Sequence, residues 1–284
     1  MKGFVVAAVQ MESAMGDVPA NAAKICSWIE VAARERAQLV FFPECCLTGY
    51  STTHADKVAV PVALDEAMDL ERLACELGVA VGYGYIERRT PEVAAICPGE
   101  DGCAASSGKP CITYVVAGRD GRLVYRKTHL GSRELQAFEA GNELPVARIE
   151  GVSIGVELCW EAHIPDITAT LRAKGAELVL VPHAVGIDVA RRMELWGRYL
   201  PARAYDNGLF VVACNALQHD EEGVVTGGGM MAFGPDGTSC AAVESSEEGM
   251  LFVSIGGMLP RENVDGGMRG ASYFDRRRPE LYSV

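Results

Sequence analysis

The sequence predicts an α/β protein in which mixed β-sheets carry helices on their outer faces. Two observations lead to this fold class. Apolar runs of strand length alternate with longer segments of helical period before and after the middle of the 284-residue chain. The middle itself has the pattern of antiparallel hairpins. No repeat or linker interrupts this order, so residues 1–284 are predicted to form one domain.

The N-terminal part alternates strands with helices. In the first helix, Ile25, Trp28 and Ile29 share one face, as expected for an amphipathic helix. The second strand is apolar at nearly every position, which is typical of a strand buried on both faces. The predicted elements are strands at residues 4–9, 38–43 and 79–86 and helices at 21–36 and 66–77.

The middle of the chain predicts two hairpins, and the strand–helix alternation then resumes. The hairpin strands are expected at 112–117 and 123–126 around the turn GRDG, and at 147–150 and 152–157 around Gly151. Residues 88–110 are predicted to be an insertion loop, and the chain from about residue 268 a tail that packs on another surface. The remaining predicted elements are helices at 166–174 and 189–207 and strands at 178–181, 209–214, 230–233 and 250–255.

Charge and hydropathy exclude several classes of partner. The chain has 38 acidic and 26 basic side chains and a net charge of −12, which argues against nucleic acid and anionic membranes. Its longest apolar stretches, such as 208–217, are far shorter than the roughly 20 residues that span a bilayer. The N-terminal MKGFVVAAVQ passes directly into polar residues and is predicted to be a strand rather than a signal peptide. We therefore expect a cytoplasmic protein.

Ten cysteines is a high number for such a chain, but they contain no C-x-x-C pair. Three of them share the loop CPGEDGCAASSGKPC, where their spacing matches no common zinc site, and the role of Cys97, Cys103 and Cys111 stays open. No metal site is predicted. The cysteines expected to be small buried apolar residues are Cys26, Cys45, Cys46, Cys75, Cys214 and Cys240.

Polar residues at the ends of buried strands are the best candidates for chemistry, because open α/β proteins place their sites there. Glu44 follows the strand QLVFFP, where partial burial would suit it to general-base work. Cys159 follows VSIGVEL ahead of a helix start at Pro165, whose amides could stabilise a thiolate. Lys127 ends the second hairpin arm and could hold an oxyanion.

The surroundings of these three residues are more specific than the residues themselves. The blocks are FPECCLTGY around Glu44, YRKTHLGSRELQAFEAGNE around Lys127 and GVELCWEAHIPD around Cys159. Together they resemble the signature blocks of the carbon–nitrogen hydrolase (nitrilase) superfamily, in that family's order. Further matches such as WGRYLPARAYDNGLFVVACN and RRPELY extend the resemblance over nearly the whole chain.

The resemblance implies a fold, a set of roles and an assembly. The fold would be a four-layer α-β-β-α sandwich, paired through helices into a homodimer or a larger homo-oligomer. Cys159 would be the nucleophile, Glu44 the general base and Lys127 the oxyanion holder. Glu134, four residues before Phe138, would position substrate and base. The resemblance implies no metal or organic cofactor.

Three residues are predicted to contact the substrate. Tyr50 closes the Glu44 block, Trp160 follows the nucleophile, and His183 follows the strand LVLVP, where it would face the pocket. The stretch after Cys159 lacks the arginine that grips a substrate carboxylate in many family amidases. Carboxylate-bearing substrates are therefore in doubt unless Arg133 or Arg191 substitutes.

The function that the resemblance implies is hydrolysis of a small non-peptide amide to a carboxylic acid plus ammonia or an amine. Three alternatives stay open. The Trp160–Glu161 pair resembles true nitrilases, which hydrolyse nitriles. Cys159 could pair with His183 as in papain-like hydrolases, or the fold could be a catalytically silent scaffold or sensor. The sequence does not identify the amide or nitrile, its chirality, the pathway or the oligomer size.

Overall fold

The computed structural model describes residues 3–61, 64–88, 108–219, 225–256 and 277–281. Short 3-10 helices occupy Cys159–His163 and Pro279–Leu281. The α-helices are α1 Val18–Arg34, α2 Ala55–Val58, α3 Asp65–Leu77, α4 Glu134–Ala137, α5 Pro165–Ala173 and α6 Val189–Asn207. The strands are β1 Phe4–Gln10, β2 Leu39–Phe41, β3 Val60–Pro61, β4 Ala80–Arg88, β5 Cys111–Ala117, β6 Arg122–Arg126, β7 Ala147–Ile149, β8 Val152–Val156, β9 Leu178–His183, β10 Phe210–Asn215, β11 Leu217–His219, β12 Val225–Gly227, β13 Met230–Phe233, β14 Ser239–Val243 and β15 Gly249–Ile255.

Two mixed sheets carry most of these strands. The first has the order β15-β1-β2-β4-β5-β6, with β3 pairing beside β4, and the second has the order β14-β13-β10-β9-β8-β7. Parallel pairing joins β1, β2 and β4 in the first sheet and β8, β9 and β10 in the second. The GRDG turn closes the antiparallel hairpin of β5 and β6, as predicted. In both sheets, the carboxyl ends of the parallel strands therefore lie along one edge.

Alternation along the strands sorts the core into layers. On β2, Leu39 and Phe41 face the other sheet, whereas Val40 packs with Ile25 and Ile29 of α1. The second sheet packs its outer face against α5 and α6. Each fully buried side chain of this size contributes about 1.5–3 kcal/mol. Helices thus cover the outer face of each sheet, which confirms the four-layer α-β-β-α sandwich.

Helix α6 covers the second sheet and has clear signals at both ends. The Asp188 carboxylate accepts a hydrogen bond from the Arg191 amide at 3.0 Å, which caps the N-terminus. Gly208 ends the helix in the left-handed conformation at φ 60°, which glycine adopts at little cost. The observed bounds therefore equal the predicted ones. One turn apart, Trp196 and Leu200 are fully buried against the sheet.

Other predictions need correction. Short or exposed elements were not predicted, including α2, α4 and the strands β3, β11, β12 and β14. Cys75 and Cys240 are exposed rather than buried, because their side chains lie on the solvent side of α3 and of β14, and Cys26 is only half-buried. Most of the predicted insertion loop and of the C-terminal tail lies outside the described residues. The single domain, the oligomer and the cytoplasmic location stay predictions.

No helix in the described ranges combines the length and the apolar character needed to cross a bilayer.

Candidate active site

Glu44 lies just past β2, in a turn that aims its carboxylate into the protein. Glu44 is only 2% exposed. Cys45 adopts a left-handed φ of 56°, and its carbonyl accepts hydrogen bonds from the amides of Thr48 and Gly49 at 3.2 and 2.8 Å. The Tyr114 hydroxyl holds the end of the strand by donating to the Phe42 carbonyl. These contacts fix Glu44 at the carboxyl edge of the first sheet.

Lys127 joins two carboxylates in the buried interior. Its Nζ lies 2.9 Å from Glu44 Oε1 and 2.8 Å from Glu134 Oε1, and the lysine is fully buried. Glu134 also accepts hydrogen bonds from the Tyr50 hydroxyl at 3.0 Å and from the Gly131 amide at 2.7 Å. The structure therefore brings together four of the predicted site residues, Glu44, Lys127, Glu134 and Tyr50.

Cys159 is the first residue of the 3-10 helix Cys159–His163, which follows β8 after two residues. Its φ of 52° is in the left-handed region, where a non-glycine residue is strained. Such strain is characteristic of functional sites. The chain turns sharply at this residue, and the half-buried side chain lines a cavity.

The pKa of Cys159 corrects one expectation. Burial, and then the charge of Glu44, raise the pKa of the thiol to about 12, against the opposing charges of Lys127 and Arg192. The nearest α-helix, α5, begins only at Pro165, so helix amides do not lower this pKa as predicted. At neutral pH, Cys159 is therefore a thiol, and its attack requires a base.

The electrostatics suit Glu44 for that task. Burial raises the pKa of Glu44 to about 7, while Lys127 opposes the shift and Glu134 adds to it. A base with a pKa near the working pH is ionised in a large fraction of molecules and can still return the proton. Burial alone would lower the pKa of Lys127, but Glu44, Cys159 and Glu134 outweigh it and raise that pKa well above the ordinary value. Lys127 therefore stays charged.

An open cavity of about 340 Å³ gives access to the site. Glu134 reaches its wall, and behind it Lys127 and Glu44 are linked to Glu134 by hydrogen bonds. The three predicted substrate-contact residues all line it, and Trp160 is 49% exposed. The lining residues are Tyr50, Gly131, Ser132, Arg133, Glu134, Cys159, Trp160, His163, His183, Val185 and Arg192.

His183 lines the cavity, but both of its ring nitrogens already have partners. Because the Val181 carbonyl can only accept, Nδ1 donates to it at 3.0 Å. Nε2 then accepts the indole N–H of Trp196 at 3.1 Å. Burial, and then the charge of Arg192, lower the pKa of His183 well below its ordinary range. His183 therefore has no free ring nitrogen to act as the base for Cys159, as a papain-like pairing would require.

Comparison with known proteins identifies the family. The carbon–nitrogen hydrolase family model matches residues 5–258. The chain belongs to the carbon–nitrogen hydrolase family. This match includes all four of the residues predicted to be catalytic, Glu44, Lys127, Glu134 and Cys159.

Relatives of this carbon–nitrogen hydrolase include amidases. The chain is 30% identical to the "Hydrolase in pqqF 5'region" of Pseudomonas protegens, over 87% of this chain and 80% of the relative. It is 26% identical to the omega-amidase NIT2 of Xenopus tropicalis, over 93% and 91%. A solved variant of the amidase from Nesterenkonia sp. AN1, in complex with butyramide, has 26% identity and a TM-score of 0.79 over 99% and 96% of the two chains. The chain is thus an amidase-like hydrolase of carbon–nitrogen bonds.

Glu161 has a structural role in the hydrolase that sequence reasoning missed. It is fully buried and accepts hydrogen bonds from the amides of Thr128 and His129 at 2.9 and 3.0 Å and from the Leu158 amide at 2.8 Å. Burial would raise the pKa of this carboxyl, but hydrogen bonds, including that from Tyr125, lower it. Glu161 thereby ties the residues after Lys127 to the nucleophile turn. In the sequence, the signal for this structural role is an acidic residue two positions after Cys159.

Within the described ranges, no three His, Cys, Asp or Glu side chains are placed so that they could hold a metal ion. Cys97 and Cys103 lie outside these ranges, and Cys111 is buried in β5.

Proposed function

We propose that this enzyme hydrolyses small non-peptide amides to a carboxylic acid plus ammonia or an amine, through a thioester on Cys159. One observation carries the proposal. Lys127 bridges Glu44 and Glu134 at 2.9 and 2.8 Å, directly behind the cavity that Cys159 lines. This arrangement supports the proposal, because acyl transfer requires a base, a fixed positive charge and a nucleophile close together.

Acylation begins with the thiol. Glu44 accepts the Cys159 proton as the sulfur attacks the amide carbon and forms a C–S bond. The carbonyl oxygen becomes an oxyanion, which the Lys127 ammonium and the Trp160 backbone amide stabilise. The C–N bond then breaks, and protonated Glu44 returns the proton to the leaving nitrogen. Ammonia or an amine departs and the thioester remains.

Deacylation repeats the sequence with water. Glu44 accepts a water proton as the oxygen attacks the thioester carbon, and the C–S bond breaks. The proton returns to Cys159, and the carboxylic acid leaves. Glu134 is a positioning residue in this scheme, because it holds Lys127 at 2.8 Å and is itself held by the Tyr50 hydroxyl and the Gly131 amide.

The cavity favours a small substrate. A volume of about 340 Å³ is near the lower end of ligand pockets. The solved variant of the Nesterenkonia amidase is in complex with butyramide, a small amide. The exposed indole of Trp160 offers an apolar surface on which the substrate chain can pack.

Nitrile hydrolysis is the second candidate, and it depends on the Trp160–Glu161 pair. A relative named a probable nitrilase, from Schizosaccharomyces pombe, is 25% identical over 98% of this chain. In this structure Glu161 is fully buried and its carboxylate is occupied by backbone amides, so the pair does not add an acid to the cavity. This arrangement favours the amide.

The proposal is tested by assaying ammonia release from matched amides and nitriles, such as butyramide and butyronitrile. We expect turnover of the amide and little or none of the nitrile. Cys159→Ala provides the control, because it should remove all turnover while the fold, followed by circular dichroism, persists. Turnover of the nitrile alone would support the second candidate. Failure on every amide and nitrile, with folded protein, would support the silent scaffold.

A further inference from the structure

Arg192 is a buried guanidinium on the wall of the active-site cavity. It belongs to α6, is only 5% exposed and lines the cavity together with Cys159. Among the described residues it forms no ion pair with a carboxylate, and its Nε has no hydrogen-bond partner. Burying an arginine in this way is unfavourable, because the charge loses water and gains no counter-charge.

The side chains around Arg192 do not neutralise it. Its guanidinium lies 5.7 Å from the centre of the Trp196 ring. His163 also lines the cavity, and burial followed by the charges of Arg192 and Arg203 lowers the pKa of this histidine. The His183 ring is neutral and fixed by its two hydrogen bonds. None of these three side chains, Trp196, His163 and His183, supplies a negative charge to Arg192.

The nearby carboxylates are engaged elsewhere. Asp188 caps the N-terminus of α6 through the Arg191 amide. Glu194 pairs with Arg191 and Arg198 on the exposed face of the helix. Within the cavity, Glu134 is already bound by Lys127. Arg192 is thus left as a positive charge facing the space that substrate would fill.

We propose that Arg192 anchors a carboxylate of the substrate, so that the enzyme acts on small amides that also carry a carboxylate. This inference rests on the proposed function and names its substrate class. The planar guanidinium matches a carboxylate with two parallel hydrogen bonds. With the amide carbon at Cys159 and the carboxylate at Arg192, the substrate spans a cavity of about 340 Å³. Monoamides of short dicarboxylic acids and N-carbamoyl amino acids share this chemistry.

The position differs from those expected from the sequence. Arg191 is exposed and its guanidinium pairs with Glu194 at 2.5 Å, so it points away from the cavity. Arg133 is exposed at the cavity wall. The buried cation is instead Arg192, the residue that follows Arg191 in α6.

The test compares two substrates that differ by one group in the full-length enzyme. Succinamate is butyramide with its methyl replaced by a carboxylate, and N-carbamoylglycine provides a second arm that separates the two substrate types. We expect the kcat/KM of wild type to be higher on at least one of the two carboxylate substrates, succinamate or N-carbamoylglycine, than on butyramide. In Arg192→Met, the kcat/KM on the preferred carboxylate substrate divided by that on butyramide should fall by about 10- to 100-fold. This is the contribution of a hydrogen bond to a charged group.

Arg191→Met is the matched control, since it removes a neighbouring arginine that is paired outside the cavity, and it should keep the wild-type ratio. Arg192→Lys should restore part of the ratio because it keeps the charge. If Arg192→Met does not fold, wild type still gives a readout: the preferred carboxylate substrate should protect Cys159 from alkylation at a lower concentration than butyramide.

Two results would overturn the inference. Turnover of butyramide with no preference for either carboxylate substrate, or an unchanged ratio in folded Arg192→Met, would remove Arg192 as an anchor and leave the proposed function intact. Failure to hydrolyse any of the three amides would contradict the proposed function and this inference together.

Discussion

Lys127 Nζ lies 2.9 Å from Glu44 Oε1, at a site where both side chains are almost completely withdrawn from water. Such a pair is costly to bury and is retained only with good geometry and further hydrogen bonds. Glu134 supplies one of them at 2.8 Å. The arrangement keeps the lysine charged while burial holds the pKa of Glu44 at about 7. One carboxylate can therefore accept protons near neutral pH beside a fixed cation.

Replacing Glu44 tests proton transfer. Glu44→Gln keeps the shape and the hydrogen bond but removes the basicity, so kcat should fall by about two to four orders of magnitude. Substrate binding should change little, and the loss should appear in single-turnover rates rather than in affinity. Glu248→Gln, which changes an exposed glutamate paired with Lys24, is the control and should keep full activity. A Glu44→Gln enzyme of wild-type rate would show that another group is the base.

The pH dependence follows from the same carboxyl group. Glu44 is active when ionised, and its pKa is raised to about 7, so activity is present above that pH and is lost as the pH falls through it. On a neutral amide such as butyramide, kcat/KM should fall about tenfold per pH unit on the acid side. A fall in kcat/KM centred near pH 4.5, the ordinary pKa of Glu, would contradict the argument that burial raises the pKa of Glu44.

Lys127→Met separates charge from packing. The variant keeps the apolar stem but removes the oxyanion partner, so it should lose about 2.7–4 kcal/mol of transition-state stabilisation. The pKa of Cys159 should also rise, because the charge of Lys127 lowers it, and alkylation near neutral pH should slow. Lys24→Met, at an exposed ion pair, is the control for loss of a lysine. Wild-type alkylation and turnover in Lys127→Met would assign Lys127 a structural role alone.

Local patterns explain how much of the fold could be predicted. Asp188 and Gly208 mark the ends of α6, so its bounds were available from the sequence. Strand β14 is largely exposed and consists of small residues, so its pairing with β13 gave no apolar pattern to detect. Cys75 and Cys240 were wrongly expected to be buried, because adjacent apolar residues do not tell which face of an element a side chain occupies.

The candidate site shows the same limit. Glu44 and Lys127 follow strands of the first sheet, and Cys159 follows a strand of the second. Residues just past strand ends are the expected place for a site in α/β proteins, so these three could be selected from the sequence. The left-handed φ of Cys159 depends on tertiary constraints that hold the turn, and no residue type there predicts it. Arg192 is a cavity residue that was not predicted from the sequence. It lies four residues before Trp196 on the buried face of α6, a spacing that the sequence displays.

Glu157 predicts a pH effect on stability rather than on catalysis. It is fully buried directly after β8, and burial raises its pKa from 4.5 to about 8. Between these values the native protein holds a proton that the unfolded chain has released. The free energy of unfolding therefore falls as pH rises, by about 1.4 kcal/mol per unit for one proton.

Glu157→Gln removes this titrating carboxyl group from both the native and the unfolded state. Its unfolding free energy, measured with urea from pH 5 upward, should fall less steeply than that of wild type, and the variant should gain relative stability towards pH 8. All other titrating groups are shared by the two proteins, so the difference in slope reports Glu157. Parallel curves would mean that the Glu157 carboxyl is not protonated in the native state at neutral pH.

The covalent intermediate on Cys159 tests the central claim most directly. Wild-type enzyme is mixed with a slowly hydrolysed amide, quenched in acid, digested and analysed by mass spectrometry, with Cys159→Ala and the exposed-cysteine variant Cys75→Ala as controls. We predict an added mass equal to the acyl group on the peptide that contains Cys159, in wild type and in Cys75→Ala, and its absence from Cys159→Ala. An acyl group on any other residue, or turnover that persists in Cys159→Ala, would contradict the account.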